Sequence, residues 1–165
     1  MSVRSSKLKA QSSKKAPYSN GEAPNGRALD WWWLKAETDA VMVLREEATA
    51  SSNGRPWDLI ERTALFGEQI VAFSKKITHN PTNNRLIGQL VGAGTSVGAN
   101  YCEANEAVSK KDFKNTISRC MKEAKETKFF LRMIVASEPQ LADEARPLYR
   151  EAHELLCIFG AMRHK

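Results

Sequence analysis

The sequence is poor in the features that mark membrane proteins, secreted proteins and domains stabilised by a bound metal ion. No apolar run approaches the roughly 18 residues of a membrane-spanning helix, so we expect no membrane segment. The basic N-terminal stretch is not followed by an apolar core, which argues against a signal peptide. Cysteine is scarce and odd in number, and Cys102, Cys120 and Cys157 lie far apart among apolar residues. They predict buried, reduced thiols in a cytoplasmic protein rather than disulfides or a zinc site.

The net charge of +6 is unevenly distributed along the 165 residues. Residues 1–28 are rich in Ser, Lys, Gly, Pro and Asn without periodicity, which predicts a disordered basic tail. Such a tail is either weakly attracted to polyanions or simply solvated. Residues 29–56 contain a run of three tryptophans in one further predicted helix, followed by a linker. We therefore place the main domain at residues 57–165.

Four segments of the main domain carry apolar residues at alternating spacings of three and four, which is typical of helices packed side by side. The stripes are Leu59, Thr63, Phe66, Ile70, Phe73 and Ile77; Ile87, Leu90, Gly94, Val97, Tyr101 and Ala104; Phe113, Ile117, Cys120, Ala124, Thr127, Leu131 and Ile134; and Leu141, Ala145, Leu148, Ala152, Leu155, Phe159 and Met162. Short breaks at Pro81 and Pro139 favour antiparallel neighbours, and we expect Pro147 to kink the fourth helix or delay its start. The predicted fold is all-α, an antiparallel up-down four-helix bundle with an N-terminal extension.

The stretch QLVGAGTSVGANYCEA, residues 89–104, looks at first like a phosphate-binding loop. A dinucleotide fingerprint requires glycine where Val97 stands, and a P-loop requires a lysine after Gly98. Because the flanking apolar residues keep helical spacing, we favour close helix packing over phosphate binding. The pairs are Gly88/Gly92 and Gly94/Gly98, each four residues apart. A mid-helix glycine costs about 1 kcal/mol relative to alanine, so a close contact must offset that loss.

The chain offers two weak candidates for catalysis. Glu103/Glu106 and Glu123/Glu126 are spaced by three residues, but the E-x-x-H motifs of di-metal bundles are missing. Surface or intersubunit ion pairs are therefore the favoured interpretation of these carboxylates. No histidine is predicted near a cysteine, so the thiols are interpreted as structural, with a position nearer the surface as the alternative for Cys102, which follows Tyr101. We expect no enzyme activity, no metal and no cofactor.

The third predicted helix carries the strongest functional pattern. At 100° per residue, one side opposite the apolar stripe collects six residues, which we call the basic face: Lys111, Lys114, Lys122, Lys125, Phe129 and Arg132. Cations with an interleaved aromatic suit a nucleic-acid backbone and a stacking base. A solvated lysine surface is the alternative, and an exposed Phe129 near Met133 would also suit a subunit interface.

Three strings in the main domain resemble one family of small bacterial four-helix bundles. GTSVGANYCEA at 94–104, SKKDF at 109–113 and KEAKET at 122–127 are similar to the 23S ribosomal RNA intervening-sequence proteins. Relatives of that family include the accessory variability protein of diversity-generating retroelements. The resemblance covers about residues 57–163. The family has no counterpart of residues 1–53. These residues are interpreted either as an added helix or as the result of a start codon placed too far upstream.

The resemblance implies an up-down bundle that assembles as a ring-like homopentamer without known catalysis. The retroelement relatives bind nucleic acid and a reverse transcriptase through a basic surface, so RNA, DNA or a reverse-transcriptase-like protein is the implied partner. The family signature matches Gly94, Thr95, Ser96, Gly98, Asn100, Tyr101 and Glu103, and candidate interface residues are Glu123, Glu126, Phe129 and Met133. We predict a cytoplasmic, oligomeric bundle that binds nucleic acid or a nucleic-acid-handling protein. The alternative is a structural assembly protein with no nucleic-acid role.

Overall fold

The computed structural model describes residue 38 and residues 58–164. Four α-helices and one short 3-10 turn occupy the second of these ranges: α1 Leu59–Ser74, α2 Pro81–Asn105, α3 Lys110–Ser137, the turn Pro139–Leu141 and α4 Ala142–His164. The predicted tail at 1–28 and the predicted helix and linker at 29–56 lie outside the described residues, apart from Thr38, which is helical and exposed.

Polar side chains mark where three of the helices begin. Asp58, Asn80 and Ser109 each accept a hydrogen bond from the backbone amide three residues later, at 2.8 to 3.1 Å. Such caps contribute about 1 kcal/mol each, because they satisfy an amide that has no helical partner. Pro81 occupies the first turn of α2, where its missing N–H removes no helical hydrogen bond. The local sequence therefore sets these three boundaries.

The helices pack mainly against their neighbours in chain order, and α1 also contacts α4. The connections at residues 75–80, 106–109 and 138–141 are too short to cross the bundle, so neighbouring helices run in opposite directions. The predicted all-α, up-down four-helix bundle is confirmed.

The apolar stripes form the core. Nearly every predicted stripe residue is buried, and the half-buried exceptions are first or last in their stripes: Leu59, Ile87, Phe113 and Met162. Thr63 is also buried, because its hydroxyl donates to the Leu59 carbonyl at 2.7 Å and so brings no unsatisfied donor into the core.

Pro147 lies inside α4, which already begins at Ala142. The expectation that Pro147 delays the start of the helix is therefore wrong. Its ring removes one backbone donor, but Ala145, Leu148 and Tyr149 on either side of it are buried. Tertiary packing of these residues holds the helix through the proline.

Candidate nucleic-acid interface

Of the four described helices, α3 alone has a net positive formal charge. It carries eight basic and three acidic side chains, whereas α1, α2 and α4 are neutral or weakly acidic. The structure places the basic face on its outer side: Lys111, Lys122, Lys125 and Arg132 are exposed, and Lys114 is half-buried. At 1.5 Å per residue the basic face extends about 32 Å along the helix.

The core explains why these cations point outward. Ile117, Cys120, Ala124 and Leu131 are fully buried and define the inner side of α3. The helical period then puts the basic face on the opposite side, where ammonium and guanidinium groups keep their hydration.

Phe129 is the exposed aromatic of the basic face, with 53% of its surface accessible. Its ring meets Phe130 edge to face, with ring centroids 5.3 Å apart and an interplanar angle of 80°. Met133, one turn further, is half-buried. Because about half of the side chain is exposed, it forgoes about 1 to 1.5 kcal/mol of burial energy, and a contact with another molecule would stabilise it.

Two carboxylates border the basic face on one side. Glu126 lies 3.5 Å from the Lys122 ammonium in a largely exposed i,i+4 pair, which contributes only a few tenths of a kcal/mol. Glu123 is half-buried, and burial first, then repulsion from Glu126, raises the pKa of its carboxyl, while Lys122 lowers it. The two half-buried residues therefore lie at the edge of the apolar stripe. An anion would bind away from that edge.

The close approach of α1 and α2 depends on Gly94. A Cβ at this position would lie 2.8 Å from both Cγ atoms of Ile70, and one at Gly98 would lie 3.2 Å from the Thr63 carbonyl oxygen. A Cβ at Gly88 or Gly92 would have no atom of another described helix within 4 Å. The close-packing interpretation of the Gly88/Gly92 pair is therefore wrong within the described residues, because those two glycines face outward.

The stretch 89–104 lies wholly within α2 and forms no loop. Thr95 donates its hydroxyl hydrogen to the Val91 carbonyl at 2.8 Å, and the Asn100 amide donates to the Ser96 carbonyl at 2.8 Å. These polar groups are bonded to their own helix, whose backbone amides are used by the helical ladder. The helical interpretation of the glycine-rich stretch is confirmed.

The last two signature residues play different parts. Tyr101 is buried against Phe159, with ring centroids 5.6 Å apart, and burial raises the pKa of its phenol. Glu103 is exposed and forms an ion pair with Arg119 of α3 at 2.8 Å. Only Tyr101 of these two is a packing residue.

A shallow groove runs along the outer surface of α1 and α2, which we call the α1/α2 groove. Its volume is about 560 Å³, and its lining consists mainly of small and apolar side chains, among them Ile60, Ala64, Gly67, Val71, Thr95 and Ala99. Ile60 is 43% exposed at its rim. The groove shares no residue with the basic face.

A family model described as 23S rRNA-intervening sequence protein matches residues 57–160. The chain belongs to this family. No curated protein matches it. The structure is also similar to the crystal structure of a protein of unknown function from the S23 ribosomal protein family of Bacteroides thetaiotaomicron. That likeness has a TM-score of 0.59 and 24% identity, covering 64% of this chain and 98% of the other, and it shows the shared fold.

The cysteines of this intervening-sequence protein correct the sequence-based expectation. Cys120 is fully buried, and burial raises the pKa of its thiol to about 12. Cys102 and Cys157 are exposed, so the prediction of a buried thiol is wrong for Cys157, and for Cys102 the alternative of a position nearer the surface is the one observed. The expectation that no histidine lies near a cysteine is also wrong, because His153 Nε2 lies 3.8 Å from Cys157 Sγ. Their spacing of four residues on one helix was the available signal.

A buried polar cluster around Asn83 joins two helix ends at one end of the bundle, and sequence patterns missed it. Asn83 is fully buried; its amide nitrogen donates to Glu138 Oε1 at 2.8 Å and to the Thr78 carbonyl at 2.9 Å. The Ser137 hydroxyl donates to the Asn83 amide oxygen at 2.7 Å. The start of α2 is thereby tied to the end of α3.

Arg62 makes another long-range polar connection, from α1 to α4. Its guanidinium donates to both carboxylate oxygens of Glu151 at 2.6 and 2.8 Å and to Glu154 at 2.6 Å. Burial lowers the pKa of Arg62, but the hydrogen bonds and charges of the two carboxylates outweigh it, so the pKa is raised overall. The geometry is a structural clamp built from a bidentate ion pair.

Among residues 58–164, no three histidine, cysteine or carboxylate side chains lie together in a way that would hold a metal ion. In the same part of the chain, no helix is both long and apolar enough to cross a membrane.

Proposed function

We propose that this chain is a non-enzymatic, oligomeric helical bundle that binds nucleic acid through the basic face of α3. The observation that supports the proposal is the concentration of positive charge on one outward surface, while the other described helices are neutral or weakly acidic. A phosphate backbone neutralises such a row of cations and releases its own counterions, which makes the association favourable at low salt.

Phe129 adds a second contact of a different kind. An exposed ring among the cations suits an unpaired base, because stacking contributes about 1 to 3 kcal/mol per base and tolerates any sequence. A lysine surface that contacts only water does not account for an exposed phenyl ring. We therefore favour single-stranded RNA or DNA over a duplex, and a reverse-transcriptase-like protein partner becomes an outcome of the test.

The second candidate function is that of an assembly protein with no nucleic-acid role. The α1/α2 groove and the exposed Ile60 favour contact with another copy of the chain, and the family resemblance implies a homopentamer. This surface is separate from the basic face, so the two functions are tested independently. Phe129 and Met133 would belong to the subunit contact only if assembly requires them.

The test measures binding of labelled single-stranded RNA, single-stranded DNA and duplexes by fluorescence anisotropy at 50 to 200 mM salt. If all five cations of the basic face contact phosphates of a single strand, log affinity falls with log salt at a slope of about −3.5. Over that fourfold salt range the affinity then decreases by about two orders of magnitude. Cytoplasmic location is part of the proposal, and fluorescence microscopy of the tagged protein in bacterial cells tests it.

The decisive variant is Lys111→Glu/Lys125→Glu, with Arg85→Glu/Arg163→Glu as the matched control of equal charge change away from the basic face. Loss of binding in the first variant alone, with the oligomeric mass in light scattering unchanged, supports the proposal. Equal loss in both variants would show that only net charge matters. A change of oligomeric mass in the first variant would make the basic face a subunit interface, and unchanged binding would leave the assembly function or a protein partner.

A further inference from the structure

Three polar side chains from two helices form a line that ends at an exposed thiol. Lys128 of α3 lies with its ammonium 3.0 Å from His153 Nδ1 of α4, and His153 Nε2 lies 3.8 Å from Cys157 Sγ. The ring of buried Tyr149 lies 4.7 Å from the same ammonium and helps to hold it in place. The thiol is exposed, whereas the lysine and the histidine are half-buried.

The direction of these hydrogen bonds follows from the chemistry of lysine. An ammonium group has donors and no acceptor, so Lys128 donates to His153 Nδ1 and that nitrogen carries no proton. The imidazole is then neutral with its hydrogen on Nε2, which points at Cys157. An N–H donor aimed at the sulfur favours a thiolate over a thiol, and Lys128 contributes by holding the imidazole in the tautomer that has this donor.

We propose that Cys157 is a modification site that reacts with low-molecular-weight disulfides, activated by the Lys128–His153 pair. The thiol proton leaves to solvent, and the Cys157 sulfur forms a new S–S bond with one sulfur of the disulfide. The other sulfur leaves as a thiolate with the electron pair of the broken bond. Cys157 is thereby oxidised to a mixed disulfide and the reagent is reduced by the same two electrons.

The experiment uses full-length protein and dithiodipyridine, a neutral aromatic disulfide whose leaving group absorbs light. Cys102→Ala leaves Cys157 as the exposed thiol; Cys157→Ala leaves Cys102, which is exposed on α2 without a hydrogen-bonded imidazole among the described residues. Cys120 remains in both, since it is buried. A tenfold shift of the thiol–thiolate equilibrium accelerates the reaction by about threefold after the accompanying loss of nucleophilicity. We expect Cys157 to react at least that much faster than Cys102.

Variants in the Cys102→Ala background separate activation from mere exposure. His153→Phe and Lys128→Met should each lower the rate and move the pH of half-maximal rate upward, whereas Lys128→Arg, which also has donors only, should keep both near the parent values. Circular dichroism confirms that each variant is folded. The proposal is overturned if Cys157 reacts no faster than Cys102, or if the rate and the pH profile do not respond to His153→Phe and Lys128→Met.

Discussion

Replacing Gly94 by alanine measures how tightly α1 and α2 meet. The new methyl group would lie 2.8 Å from both Cγ atoms of Ile70 and 3.1 Å from its Cβ. Ile70 is fully buried and β-branched, and a helix leaves it one strongly preferred χ1 rotamer. The side chain cannot turn away from the contact, so the two helices must separate or distort.

Two opposing effects determine the size of the change. Alanine gains about 1 kcal/mol over glycine inside a helix. Overpacking of a closely fitted core costs about 1 to 3 kcal/mol, and contact with both branches of Ile70 places this case at the upper end. We expect Gly94→Ala to lower the free energy of unfolding by about 1 to 2 kcal/mol. Gly92→Ala, where the added Cβ meets nothing within 4 Å, should instead raise it by up to about 1 kcal/mol.

Urea unfolding followed by circular dichroism at fixed protein concentration measures both variants. The sharper form of the assay repeats Gly94→Ala in an Ile70→Ala background, where the clashing Cγ atoms are gone. There the same substitution should become neutral or stabilising, because the methyl group fills part of the cavity. A coupling energy of about 2 kcal/mol between the two positions is the expected signature.

Close packing of Gly94 against Ile70 is contradicted if the Gly94→Ala variant is as stable as the parent protein. It is also contradicted if Gly94→Ala changes the free energy of unfolding by the same amount and sign in the Ile70→Ala background. In that case the helices have room for a methyl group, and the glycine has another purpose.

Three further predictions concern the buried polar groups. Asn83→Leu should lower the free energy of unfolding, measured by thermal unfolding, by about 2 to 4 kcal/mol, because it leaves the Glu138 carboxylate buried with fewer donors. As a control, Asn84→Ala at the exposed neighbouring position should change it by about 0.5 kcal/mol or less. Arg62→Met should lower the free energy of unfolding by about 2 to 3 kcal/mol in the same assay, since two carboxylates of α4 lose their partner. The folded protein holds the Cys120 proton to a pKa of about 12, above the unfolded value near 9, so stability should fall as pH rises between these values. Cys120→Ala should flatten that part of the pH profile, and an unchanged slope would contradict the assignment.

The helices and the core were predictable because apolar spacing reports directly on which side of a helix is buried. Phe66, Ile70 and Phe73 illustrate this, since their spacing of four and three places all three in the core. Cys157 was misplaced because its apolar neighbours in the sequence suggested burial. A helical wheel puts it about 200° from buried Leu155, on the outer side.

The polar connections escaped prediction for a different reason. Asn83 lies in a polar segment that reads as a surface turn, and its burial depends on Glu138, more than fifty residues away in the chain. Arg62 likewise depends on carboxylates of the last helix. Local patterns carry no information about which helix ends meet, so these pairs become visible only in three dimensions.

The hydrogen bonds of Asn83 and Arg62 limit the number of alignments that the helices can adopt. Apolar stripes with a repeat near seven residues would by themselves accept a neighbour displaced by one turn, about 5.4 Å. The Asn83 and Arg62 hydrogen bonds exist in only one alignment. Replacing both residues by apolar ones should therefore leave the helix content intact while broadening the amide NMR spectrum into several sets of peaks. The polar groups would then select one alignment among several that the apolar core alone allows.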